Sequence, residues 1–157
     1  MDVTIRLAKP ADLKAIDQII YDAYHHYIPR MGMTPGPMLD DYAPMIASNS
    51  IHVAEDTNNN VLGLVAVYPE PETTDSMILS NLAVAPQAQG AGLGRKLMEF
   101  AEKQAVESGY KFMKLYTNEA MTENIVIYGK KGYVETHRAV ERGLRRVFMT
   151  KQLQPDN

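Results

Sequence analysis

Gln89-Gly90-Ala91-Gly92-Leu93-Gly94 places glycine at every second position, between an apolar run, Met77 to Val84, and a segment with helical periodicity, Arg95 to Ser108. The first turn of a helix has unpaired N–H donors and the positive end of the macrodipole, so such a junction suits phosphate oxygens. Glycines let those oxygens approach without a Cβ in the way. The stretch therefore predicts a phosphorylated cofactor, with Arg95 and Lys96 adding positive charge. It is not a P-loop, because Gly94 is followed by Arg-Lys-Leu rather than Lys-Ser/Thr, and it follows no N-terminal first strand as a dinucleotide fingerprint would. A purely structural turn before a helix is the plainer alternative.

The remaining composition narrows the chemistry. With 157 residues, 45% of them hydrophobic, the chain can build one domain with a real core, 1–157 with its core at about 4–153. Sixteen basic and nineteen acidic residues leave a formal charge of -3, which offers no global attraction to nucleic acid or an anionic membrane. Cysteine is absent, which removes disulfides, thiolate metal sites and a cysteine nucleophile. No apolar run approaches the ~20 residues that span a bilayer, and the first residues lack a secretory pattern, so a cytoplasmic protein is expected.

Elements that would hold the glycine turn follow from periodicity. Val3, Ile5 and Leu7 alternate as in a strand, and Leu13, Ile16, Ile20, Ala23 and Tyr27 recur at helical spacing with Pro29 as the stop. Three prolines and two glycines make Pro29 to Pro37 an irregular segment, followed by a short helix over Met38 to Ala47. Ile51 to Glu55 and Val61 to Tyr68 flank Asp56-Thr-Asn-Asn-Asn60 as a hairpin. Met77 to Val84 is a strand, Leu93, Leu97, Ala101 and Ala105 form one helix face, and Phe112, Lys114 and Tyr116 alternate with Met113, Leu115 and Thr117 as a further strand. A short helix over Glu123 to Lys131 precedes two final strands, Tyr133 to Arg138 and Leu144 to Leu153, with Arg142-Gly143 between them. The order predicts an α/β (α+β) fold with a mixed sheet and helices on its faces.

Leu82-Ala83-Val84 with Pro86, then Gln89-x-x-Gly92-x-Gly94, then Glu123-Asn124 and Tyr128-x-x-x-Gly132-Tyr133, resemble the pattern of GNAT-superfamily N-acetyltransferases in order and spacing. The likeness covers roughly Thr4 to Leu153. It implies a mixed, mostly antiparallel sheet of about seven strands, splayed at the cofactor site and flanked by about four helices. It also implies acetyl-CoA as cofactor and transfer of the acetyl group to a primary amine of a small molecule or peptide by direct attack.

Carried onto this chain, the resemblance gives the amides of Leu82, Ala83 and Val84 to the pantetheine and thioester carbonyl. Gln89, Gly90, Ala91, Gly92, Leu93, Gly94, Arg95 and Lys96 fall to the pyrophosphate. Asn124 matches a pantetheine ligand and Tyr128 the tyrosine beside the cofactor sulfur. Acyl transfer to an amine needs an oxyanion stabiliser, a proton acceptor and a donor for the leaving thiolate. A phenol with an ordinary pKa near 10 suits that donor role, which makes Tyr128 the catalytic candidate.

Each of these residues also has a plainer reading. Tyr128 sits among Ile125, Ile127 and Tyr133 and could be packing, while Asn124 could cap its helix. His25 and His26 read as surface histidines or acceptor-side bases, without carboxylates at metal-ligand spacing, and no metal is expected. Glu119 reads as a loop carboxylate or a base. Ser80-Asn81 stands where many members of the family place a glutamate, which weakens the case for a carboxylate base on that strand. Tyr24, Tyr27, Arg30, Met31, Met33 and Tyr42 are the acceptor-side candidates. Arg138, Arg142, Arg145 and Arg146 around the final turn are either a solvated, charge-balanced edge or a meeting place for an anionic acceptor or the partner subunit of a homodimer. A non-catalytic acetyl-CoA-binding or sensory module is the alternative function, and the acidic balance argues against action on nucleic acid.

Overall fold

A computed structural model describes residues 2–153. Seven strands form one mixed sheet in the order β1-β2-β3-β4-β5-β7-β6. They are β1 (Val3–Leu7), β2 (Ile51–Asp56), β3 (Val61–Pro69), β4 (Ser76–Val84), β5 (Phe112–Asn118), β6 (Val134–Glu141) and β7 (Leu144–Gln152). The helices are α1 (Leu13–Tyr24), α2 (Ile28–Met31), α3 (Tyr42–Ala47), α4 (Leu93–Glu107) and α5 (Thr122–Lys130). The described residues gather in two compact units. One takes the chain up to Val67 and Asn81–Ala101, the other takes Tyr68–Ser80 and everything from Glu102 on, so β4 and α4 each run through both.

In the first unit β1 pairs antiparallel with β2, and β2 antiparallel with β3. The Asp56 carboxylate builds the β2–β3 turn by accepting the backbone N–H groups of Asn58 and Asn60, both at 2.9 Å, while Asn59 takes a positive φ of 64°. Asn and Asp are tolerated there because their short side chains bond the local backbone. Ile16, Ile19 and Ile20 of α1, Tyr42 and Ile46 of α3, Ile51 and Val53 of β2, and Leu64 of β3 form the core cluster. Arg6 clamps the edge strand with a bidentate pair to Asp12 at 2.9 and 3.0 Å and a third bond to Glu55 at 3.0 Å. These bonds hold the Asp12 carboxyl below the usual carboxylate range.

Two local readings change. Pro29 does not end the first helix. α1 stops at Tyr24, and Pro29 lies in the first turn of α2, where its missing N–H would have had no helical partner. Gly32, with φ 70°, closes that single turn by donating to the Ile28 carbonyl at 2.8 Å. The helix expected over Met38 to Ala47 divides into a 3-10 turn, Gly36–Met38, and α3, which the Asp41 side chain caps.

Gly63 leaves room for α4 against the sheet: a Cβ there would lie 3.0 Å from Leu97 Cδ1 and 3.2 Å from the Ala83 carbonyl oxygen. In the same layer the His52 ring lies 4.8 Å from Phe100, and His52 Nδ1 is buried without a hydrogen-bond partner. Burial lowers the His52 pKa below its ordinary 6.5. The unfolded chain therefore takes up the proton first as pH falls through about 6.5, so this contribution is whole above that pH and is lost between it and the lower folded value. His52→Phe, which keeps an aromatic beside Phe100, is expected to flatten the fall in Tm between roughly pH 7.5 and 5.5. Equal slopes for wild type and variant would contradict the assignment.

In the second unit β4 pairs parallel with β5, from Ser76↔Phe112 to Leu79↔Leu115. That ladder ends there although the strands run on to Val84 and Asn118. β7 pairs antiparallel with both β5 and β6. Arg142 and Gly143 take φ of 51° and 76°, the two positive values that a tight hairpin turn with right-handed strand twist requires. Met113, Leu115 and Thr117 are the buried side of the β5 alternation, and Met121, Tyr133, Leu144, Val147 and Met149 are buried in the same unit. The Tyr133 hydroxyl donates to Glu102 at 2.8 Å, and Lys151 bonds the other oxygen of Glu102 at 2.7 Å.

Candidate cofactor and acceptor sites

β4 delivers the chain to the glycine turn. Ala83 is buried, Leu82 and Val84 are half-buried, and the Ala85 N–H donates to the Leu62 carbonyl at 2.8 Å, which fixes the strand's end against β3. A 3-10 turn, Pro86–Ala88, follows, and Gln89 resumes an extended backbone. Gly90 and Gly92 then take φ of 86° and 79°, and a Cβ at either would meet nothing within 4 Å. Glycine is required here by backbone conformation, and the space above it is open to a ligand. Lys96 N–H closes the first helical bond on the Gly92 carbonyl at 3.1 Å, so the amides of Leu93, Gly94 and Arg95 precede it at the positive end of a fifteen-residue helix. Leu93 is buried and anchors the turn, whereas Gln89, Gly90, Ala91, Gly92, Arg95 and Lys96 are exposed. An open turn, free amides and two cations make a donor set that fits the diphosphate of a nucleotide cofactor.

Three residues before the end of β4, Asn81 is 4% exposed and joins two tyrosines from distant parts of the chain. Tyr24 Oη donates to Asn81 Oδ1 at 2.7 Å, Asn81 Nδ2 donates to Tyr42 Oη at 2.7 Å, and Tyr42 Oη donates to the Pro37 carbonyl at 2.6 Å. Because the Tyr42 proton is directed at Pro37, its oxygen must accept, and only a side chain that both donates and accepts completes the chain. An ionised glutamate at this position could accept from Tyr24 but could not donate to Tyr42. The amide is thus matched to its neighbours, and the usual carboxylate would not be. Of the other acceptor-side candidates, Tyr27 is buried, Met31 and Met33 are half-buried, and Arg30 is exposed with its guanidinium 5.0 Å from the Tyr27 ring. His25 and His26 are exposed, with His25 stacked on Tyr21.

In the second unit Met121 occupies the cap position of α5, so Asn124 is not the cap. It lies in the first turn, half-buried, its Nδ2 3.6 Å from Met121 Sδ. Tyr128, one turn further, is half-buried and meets Tyr133 edge-on at 6.0 Å. The two phenols have different surroundings. Burial, with Glu102 beside it, pushes the Tyr133 pKa far above the ordinary phenol value, so Tyr133 keeps its proton on Glu102.

The four hairpin arginines separate. Arg138 bonds Glu135 at 3.0 Å, Arg138 and Arg145 both reach Glu119, at 3.7 and 3.3 Å, and Arg142 is exposed in the turn. Arg146 alone of the four is buried. Among the described residues no group of three His, Asp or Glu could hold a metal, and no helix is long and apolar enough to cross a membrane.

Residues 47–135 match the family model described as an acetyltransferase (GNAT) domain. The mycothiol acetyltransferase of Jonesia denitrificans is 30% identical over 99 residues, 62% of this chain, which spans only 31% of that protein's length. The N-acetyltransferase YhfO of Bacillus subtilis is 25% identical over 85% of this chain and 91% of its own. The fold is that of the PaiA N-acetyltransferase from Thermoplasma acidophilum, solved with coenzyme A, at a TM-score of 0.75 and 17% identity, covering 97% of this chain and 99% of that one. The chain belongs to the GNAT acetyltransferase family. Membership makes acetyl-CoA the cofactor and acetyl transfer the reaction class.

Proposed function

We propose that residues 1–157 act as a single N-acetyltransferase domain that moves the acetyl group of acetyl-CoA to a primary amine of a small molecule or peptide. The observation that carries this reading is the glycine turn at 89–94, where Gly90 and Gly92 take positive φ beside open space just before the N-terminus of α4. Acetyl-CoA supplies the activated acetyl thioester. The backbone amides of Leu82 to Val84 bind the pantetheine and polarise the carbonyl, supported by the β4–β5 ladder ending before them. The turn, with Arg95 and Lys96, binds the diphosphate, and Asn124 adds a pantetheine contact. Tyr128 donates the proton that the leaving sulfur needs, while Tyr133 holds its own proton on Glu102.

With an amide at position 81, the acceptor nitrogen enters neutral or gives its proton to water. Tyr24, Tyr27, Arg30, Met31 and Tyr42 form the acceptor side in the first unit, and Glu119 lies on the acceptor side of the second, already paired with Arg145. A cytoplasmic homodimer completes the reading, supported by edge strand β6 with Val134 and Val140 exposed.

The absence of cysteine makes the test clean, because any thiol detected during turnover is released CoA. The protein is expected to bind acetyl-CoA and to release CoA with at least one member of a panel of free amines, polyamines, aminoglycosides, amino acids and peptide N-termini. Binding without turnover of any amine would favour a non-catalytic CoA-binding module, and no binding would overturn both.

A further inference from the structure

The second unit contains a cavity of about 670 Å³, within the range of small-molecule sites, whose lining includes Tyr68, Ile78, Tyr116, Phe148, Glu141 and Arg146. Arg146 is 8% exposed, and its guanidinium carbon lies 4.2 Å over the Tyr116 ring. Nη1 donates to Glu141 Oε2 at 2.8 Å. That bond uses Nη1, which leaves the Nε–Nη2 edge outside the pair with Glu141. The Nε–Nη2 edge of a guanidinium is the fork that takes a planar carboxylate through two parallel bonds. Stacking on Tyr116 holds that fork in a fixed plane. The other cation of this cavity, Lys114, is paired with Glu70 at 3.0 Å.

We propose that this cavity is an acceptor subsite and that Arg146 reads a carboxylate on the amine substrate, with Ile78, Phe148 and Tyr68 receiving the apolar remainder of the molecule. The acceptor class is then a free amino acid or a similar small amine bearing a carboxylate. This rests on the acetyltransferase reading. In the reaction the amine nitrogen forms a bond to the acetyl carbon as the carbon–sulfur bond breaks, the nitrogen loses one proton to solvent, and the sulfur gains one.

The test uses matched pairs, each a carboxylate-bearing amine and its carboxamide, assayed for CoA release. A second measurement, calorimetry with N-acetylated amino acids as product probes, is made on the CoA-loaded protein and needs no turnover. Wild type is expected to prefer the carboxylate of a pair at least tenfold in kcat/KM and to bind the acetylated amino acid more tightly than its amide. In Arg146→Gln both preferences should fall toward one. Arg146→Lys keeps the charge without the fork and should recover only part of them, which guards against a glutamine variant that fails to fold. Equal use and binding of carboxylate and amide by wild type, or an unchanged preference in a folded Arg146 variant, would overturn the subsite. Turnover of carboxamides alone would keep the acetyltransferase and discard this subsite, whereas carboxylate binding without turnover of any amine would keep the subsite and discard the transferase.

Discussion

Tyr128→Phe is expected to lower kcat by about 10²- to 10⁴-fold with little change in acetyl-CoA affinity, the usual cost of losing a general acid, or ~3–5 kcal/mol of barrier. The ring stays, so its edge contact with Tyr133 at 6.0 Å persists and the half-buried position stays filled. Only the hydroxyl is lost. The high-pH limb of the rate profile should move or disappear with it, because a donor must be protonated to act. Tyr133→Phe separates chemistry from packing. It removes the bond to half-buried Glu102, whose other oxygen is held by Lys151, and should cost stability more than turnover. If the Tyr128 variant keeps full kcat across that pH range in a chemistry-limited assay, Tyr128 is a packing residue and water supplies the proton.

Gly92→Val should weaken acetyl-CoA binding by at least ~100-fold, about 2.7 kcal/mol, while leaving a folded protein. Gly92 takes φ 79°, where a β-branched residue is strained, and no protein atom lies within 4 Å of its would-be Cβ. The native neighbours therefore do not resist the side chain. It occupies the open space into which a diphosphate oxygen would come, and it pulls the turn away from the geometry that aims the α4 amides. Gly92→Ala, with a smaller side chain, should lose less. Calorimetry that finds wild-type affinity in a folded valine variant would remove the turn from the cofactor site.

Most elements were legible because their signals are local. A glycine at positive φ, an Asp-Asn turn, alternation of Met113, Leu115 and Thr117 with Phe112, Lys114 and Tyr116, and helical spacing at Leu93, Leu97, Ala101 and Ala105 each depend on a few neighbouring residues, and that face of α4 is buried as expected. The segment from Pro29 was harder to read, since proline ends one helix and begins another with the same local chemistry, and only the capping at Gly32 shows which.

By itself the sequence determined the glycine turn, the strand before it, the helix after it and the spacing to Asn124 and Tyr128, because backbone conformation and period are properties of consecutive residues. Tertiary structure alone decided which polar side chains meet. Asn81 finds Tyr24 and Tyr42 across 57 and 39 positions of chain. Arg145 and Arg146 are adjacent in sequence, yet one is exposed beside Glu119 and the other is buried on Tyr116. Successive residues of a strand face opposite sides, but which side is covered depends on what packs there, and that follows from pairings no local pattern contains.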